Sequence, residues 1–173
     1  MRQRPIAVTV FGILNMGYAL WKFLGVLIGA VFARMNIGAN PAMAALKNNP
    51  TYLLWNHISM AVAAVFGIML IASGIGMLLL QNWARILAMV YSVLEMIFVV
   101  ASAIFTQLVI APAMASQFHG SSAAFVEMSV KVGFVFGLLF SLAYPVLLLI
   151  FMTRPSVAEA FRSQPSPIEN PIA

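Results

Sequence analysis

From Ile58 to Leu80 the chain carries no charged residue, and from Val132 to Met152 it again carries none. Two further stretches are nearly as apolar. Ile6 to Ala33 is charged only at Lys22, and Ala84 to Ala111 only at Arg85 and Glu95. A helix needs roughly 20 apolar residues to cross the hydrocarbon core of a bilayer, and the backbone inside must satisfy its own hydrogen bonds. Four such stretches confine the fold to an all-α, four-transmembrane-helix bundle, with spans at about 6–33, 55–80, 84–111 and 128–152. Composition agrees: 8% of residues are charged and 63% hydrophobic, whereas a soluble domain carries about 25% charge.

The connections set the order of packing. Gln81-Asn82, followed by Trp83 and Arg85, is a tight joint between the second and third spans. Residues 34–54 form the longest connection. Pro41 and Pro50 bracket a short amphipathic piece there, and Asn48-Asn49-Pro50 breaks the chain. The third span is predicted to stop before Pro112, and Pro145 is predicted to kink the fourth. At about 1.5 Å per residue the third span is ~42 Å long, so it tilts or projects beyond a core of ~30 Å. The basic start before the first span resembles a signal peptide, but the apolar run exceeds the ~7–15 residues of a signal core and reads as a span. Residues 1–153 are thus read as the transmembrane domain. In 154–173, Ser156-Val-Ala-Glu159 fits a capping box that opens a short interfacial helix with Val157 and Phe161 on one face. A disordered proline-rich tail completes the chain.

With four spans, Arg2, Arg4, Arg85, Arg154 and Arg162 lie on one side, and Arg34, Lys47 and Lys131 on the other. The excess of positive charge places both termini in the cytoplasm.

Small and polar residues fall into stripes that are expected to meet inside the bundle. They comprise Asn15, Tyr18, Lys22, Gly25 and Gly29 on the first helix, and Gly67 and Gly74 with Ala63 on the second. The third carries Ala84, Ala88, Ser92, Glu95, Ser102 and Thr106, and the fourth Gly133, Gly137, Ser141 and Tyr144. The glycines are read as helix-packing positions. Glu95, Lys22, Asn15, Ser92, Ser102 and Thr106 form the candidate intramembrane polar site. Ionisable residues within spans mark functional sites or tie helices together. Counted along their helices, Lys22 and Glu95 differ in level by about 9 Å, a gap that a lysine stem covers in large part.

Several chemistries are set aside. There is no cysteine and no aspartate, so thiol redox chemistry and thiolate metal sites are out. His57, His119 and Glu127 show no metal-ligand spacing, and no metal or cofactor is expected. Nine scattered Lys and Arg do not form a nucleic-acid stripe. No nucleophile elbow, phosphate loop or carboxylate pair is found, which argues against an enzyme, including one acting on lipids.

Three segments carry a resemblance: RPIAVTVFGILNMGYALWKFLG, NNPTYLLWNHISMAVAAVFGIMLIASGIGMLLLQNWARILAMVYSVLEM and YPVLLLIFMTRPSVAEAFR. The Arg-Pro start, the Gly-x-Gly-x-x-Leu-Leu and Trp-Ala-Arg of the hairpin, and the closing Arg-Pro-x-Val resemble a group of uncharacterised bacterial four-span integral membrane proteins. The resemblance implies topology and a bacterial inner-membrane location, and no activity. The expected function is therefore that of a non-enzymatic membrane protein working through helix and lipid contacts. It would be an accessory bundle, with the bilayer, further copies of itself or another membrane protein as partners. The alternative is a small transporter or ion-coupled permease using Glu95.

Overall fold

The computed structural model describes residues 6–34, 46, 48–116 and 121–162. It is all-helical: α1 (Ile6–Arg34), α2 (Pro50–Leu78), α3 (Asn82–Phe105), a π-helical turn (Thr106–Ile110), α4 (Ala111–Ala115), α5 (Ser121–Thr153) and α6 (Pro155–Arg162). Four stretches are long and apolar enough to cross a membrane: Val8–Val31, Pro50–Leu78, Asn82–Met114 and Lys131–Thr153. The four-span bundle expected from the sequence is the fold.

The boundaries differ in instructive ways. The second span starts at Pro50 rather than near residue 55. The Asn49 side chain accepts hydrogen bonds from the Thr51 and Tyr52 backbone N–H groups at 2.9 and 3.2 Å. Pro50 occupies the first helical position, where a missing N–H costs nothing. The apparent breaker is thus a helix start. The third span does not stop before Pro112. The helix widens into a π turn at Thr106–Ile110 and continues through Pro112 to Ala115. Pro lacks an N–H and its ring collides with the carbonyl four residues back, and a widened turn relieves both constraints. α6 starts at Pro155, one residue before the expected capping serine. The Arg154 carbonyl accepts from Val157 N and Ala158 N at 3.1 and 3.0 Å. Of the piece expected between Pro41 and Pro50 only Leu46, which is buried, Asn48 and Asn49 are described, and the tail beyond Arg162 lies outside the described residues.

The α2–α3 joint is a two-bond C-terminal cap. Gln81 N donates to Gly76 O at 2.8 Å and Leu80 N to Met77 O at 3.0 Å, the two bonds that close a helix end on a left-handed residue. That residue is Leu80, at φ 56°, where glycine is usual. The left-handed conformation costs a residue with a Cβ about 1–2 kcal/mol, and Leu80 offsets this by packing against the core.

α1 packs on α2, α2 on α3, and α3 on α5. α1 and α5 meet through rings: Phe11 on Phe151 with centroids 4.6 Å apart, and Tyr18 stacked on Tyr144 at 4.5 Å. The core near the termini is Val8, Phe11, Ala84, Leu148 and Met152, with Val157 and Phe161 of α6 buried among them. Arg85 of the joint donates from Nε to the Met152 carbonyl at 2.7 Å, tying the hairpin to the end of α5.

Glycines decide how close the helices come. A Cβ on Gly74 would stand 2.9 Å from the Gly12 carbonyl oxygen, one on Gly67 2.8 Å from the Phe23 ring, and one on Gly76 2.5 Å from the Ala84 Cβ. Gly67 and Gly74 are the packing positions the sequence pointed to, and Gly12 and Gly76 join them. Gly25, Gly29, Gly133 and Gly137 correct the expectation. A Cβ at any of the four meets nothing within 4 Å among the described residues. On α1 the inward face beyond Ala19 passes through Lys22, Phe23, Val26 and Ala30, so Gly25 and Gly29 sit one residue, about 100°, off it. On α5 it passes through Phe134, Leu138 and Ser141; Gly133 is displaced in the same way, whereas Gly137 shares their side, next to a space between α3 and α5.

Candidate functional site

A polar core runs through the apolar bundle. Asn15, fully buried, is its first node. Its Nδ2 donates to Ser73 Oγ at 3.0 Å and contacts the Met77 sulfur at 3.7 Å, while its Oδ1 accepts from the Tyr144 hydroxyl. Ser73 Oγ donates in turn to Leu70 O at 3.0 Å. One asparagine thereby joins α1, α2 and α5, and an amide with both donors and acceptors can serve that many partners.

Two turns further along α1 lies the second node. Lys22 Nζ donates to Glu95 Oε1 at 2.7 Å, with the side chains 15% and 5% exposed. The ammonium also lies over the rings of Tyr18 and Phe66, 5.4 and 5.7 Å from their centroids. Those π faces add attraction in a desolvated setting. A charged pair buried this deeply needs its remaining lone pairs filled to be worth its desolvation. Here they are filled only in part: Glu95 Oε2 and the hydroxyl of Tyr91, one turn earlier on the same face of α3, interact with each other but make no hydrogen bond of good geometry.

Next to Glu95, between α3 and α5, is a cleft of about 340 Å³. Glu95 stands at one end and Thr106 at the other. Ser102 and Ser141 add hydroxyls to the walls, and Phe98 and Phe134 add rings. The cleft exists because Ala103 and, at its rim, Gly137 bring little or no side chain to the space between the helices, in a segment of α5 where little else is buried.

Of the six residues expected to form the polar site, the structure joins Lys22 directly to Glu95 and puts Asn15 on the same inner face of α1, bound instead to Ser73 and Tyr144. Ser92 is buried but donates within its own helix, to Ala88 O at 2.8 Å. Ser102 and Thr106 line the cleft, Thr106 donating to Ser102 O at 2.8 Å. Sequence reasoning passed over Ser73, Met77 and Tyr91. Tyr91 was within reach of a spacing argument, since it lies at i−4 from Glu95. Ser73 lies in a span that reads as bland, and only its partner reveals it. His57 is exposed, its Nδ1 2.8 Å from Leu53 O, and His119 lies outside the described residues. No group of three metal-ligating side chains occurs among the described residues.

Fold and polar core define a class: a four-span helical membrane protein with a buried ion pair beside a cleft. No protein-family model, curated protein or solved structure matches the chain.

Proposed function

We propose that the protein is a non-enzymatic bundle that associates with further copies of itself, or with another membrane-embedded helix, through the outer faces of α1 and α5. The observation that supports this is the division among its glycines. Gly12, Gly67, Gly74 and Gly76 are filled by neighbours, while Gly25, Gly29, Gly133 and Gly137 have open space where a Cβ would stand. In lipid, helices gain little from apolar burial and associate where small residues let backbones approach. Gly25 and Gly29, at four-residue spacing on α1, and Gly133 on α5 offer that approach. The ion-coupled permease is the less favoured reading, because the carboxylate it needs is already held by Lys22.

The test uses copies labelled with donor and acceptor dyes in lipid vesicles. Energy transfer above that of a non-associating control is expected for the wild type. Gly29→Leu and Gly133→Leu, which the single bundle accommodates, are expected to lower it at least fivefold. Unchanged transfer in both variants would refute the reading.

The proposal includes a setting, the bacterial cytoplasmic membrane with both termini inside. It is supported by the charge excess on the terminal side and by the resemblance of the three quoted segments. Reporter fusions after Gln81 and after Ala173 are expected to report cytoplasm, and a periplasmic signal from either overturns this topology.

A further inference from the structure

We infer that the cleft between α3 and α5 is a binding site for a neutral, hydroxyl-headed lipid, its hydroxyl donating to Glu95 and its chain lying in an adjoining apolar groove. The inference goes beyond the association reading and stands independently of it.

Four observations converge on it. First, Glu95 Oε2 is a buried acceptor with no well-formed hydrogen bond, the Tyr91 hydroxyl beside it meeting it in poor geometry, at the end of a cleft whose walls carry Ser102, Thr106 and Ser141. Buried polar atoms in native proteins are nearly always paired. The terminal torsion of glutamate is broad, so a small turn of the carboxylate presents Oε2 to the cleft. Second, the Lys22–Glu95 pair is neutral as a unit. A cation arriving at Glu95 meets the Lys22 ammonium, and an anion meets the carboxylate, so the site favours an uncharged donor.

Third, a second, mainly apolar groove of about 270 Å³ adjoins the cleft. It is formed by Val100, Ile104 and Leu108, with Gln107 beside them, and it shares Ala103, Phe134 and Leu138 with the cleft. A polar end continuous with an apolar channel fits an amphiphile better than a compact polar solute. Fourth, Glu95 is about 20 Å along α3 from Asn82, well inside a hydrocarbon core of ~30 Å. The groove runs from it toward Leu108, so the hydroxyl is the deep end of the bound molecule and the chain points toward the surface at the C-terminal end of α3. A phosphate headgroup dragged to that depth carries a charge into hydrocarbon, where an unpaired ion is far more costly than a paired polar group. A hydroxyl that finds a carboxylate partner avoids that cost.

The experiment is photolabelling in phosphatidylcholine vesicles with a hexadecanol that carries a diazirine along its chain. Matched probes carry a carboxylate or a phosphocholine head. The alcohol is expected to label peptides containing Val100–Leu108 or Phe134–Leu138 at least fivefold above either charged probe, and excess hexadecanol should compete. Ala103→Leu and Leu138→Trp fill the shared wall without touching Lys22 or Glu95. Each is expected to reduce labelling at least fivefold while leaving energy transfer between labelled copies as in the wild type. Equal labelling by all three heads, labelling confined to other peptides, or labelling that survives both substitutions would overturn the site. Unchanged energy transfer in the glycine variants with head-selective labelling intact would overturn the association reading alone.

Discussion

Glu95→Ala is expected to cost about 3–5 kcal/mol of unfolding free energy, because removing one member of a buried ion pair strands the other. Lys22 would lose its carboxylate partner at a depth where only two aromatic faces remain to it. The double variant Lys22→Met, Glu95→Leu should recover nearly all of the loss, to within about 1 kcal/mol of wild type, since apolar replacement of a buried pair is often close to neutral. Reversible unfolding in mixed detergent micelles, read by tryptophan fluorescence, measures both. A double variant no more stable than Glu95→Ala would mean that the pair is not coupled. The same site separates the functional alternatives. If Glu95→Gln and Glu95→Ala both fold and keep any proton- or cation-dependent flux of the wild type in proteoliposomes, the permease reading is removed.

The second large effect is expected at the α2–α3 hairpin. In Gly76→Ala the new methyl would stand 2.5 Å from the Ala84 Cβ and 2.9 Å from the Trp83 ring. The start of α3 must move, and overpacking of this kind costs about 1–3 kcal/mol. The Gln81 N to Gly76 O bond, which closes the left-handed cap, involves the same residue, so strain in packing and strain in the turn combine. Gly29→Ala provides the contrast: with open space around it, its effect is expected to stay within about 0.5 kcal/mol. Unfolding midpoints of the two variants, compared under one condition, decide the matter. Equal midpoints would show that the hairpin yields freely.

The spans were legible in the sequence because charge is scarce and hydrocarbon imposes a minimum length. The ends were less so. Asn49-Pro50 breaks a helix or begins one depending on the residues C-terminal to it, and Pro112 ends a helix unless a π turn opens room for it. Counting from Arg85 left Glu95 about 9 Å from the level of Lys22. α3 starts at Asn82, and those three residues restore about 4.5 Å, so that the lysine stem closes the remainder. The polar stripes of α1 and α3 were readable as far as Lys22 and Glu95. Beyond them the spacing argument failed for Gly25, Gly29 and Gly133, while Gly137 lies beside the cleft with open space where a Cβ would stand. A glycine stripe one position off the true inward face looks the same as one on it, and only the crossing of α1 over α2 at Gly12 and Gly74 fixes the rotation. The Asn15–Ser73–Tyr144 cluster joins three helices distant in sequence, and no local pattern announces such a meeting.

The burial of Val157 and Phe161 has a consequence for biosynthesis. These side chains plug the terminal end of the bundle beside Val8, Phe11 and Met152, yet they leave the ribosome only after all four spans have done so. Until then the membrane holds a set of inserted helices with an open lower end, where Phe11 lacks part of its surroundings. α6 therefore acts as the stopper that is fitted last. A chain released before it would be inserted yet unsealed, with Phe11 and Met152 missing the cover that Val157 and Phe161 provide.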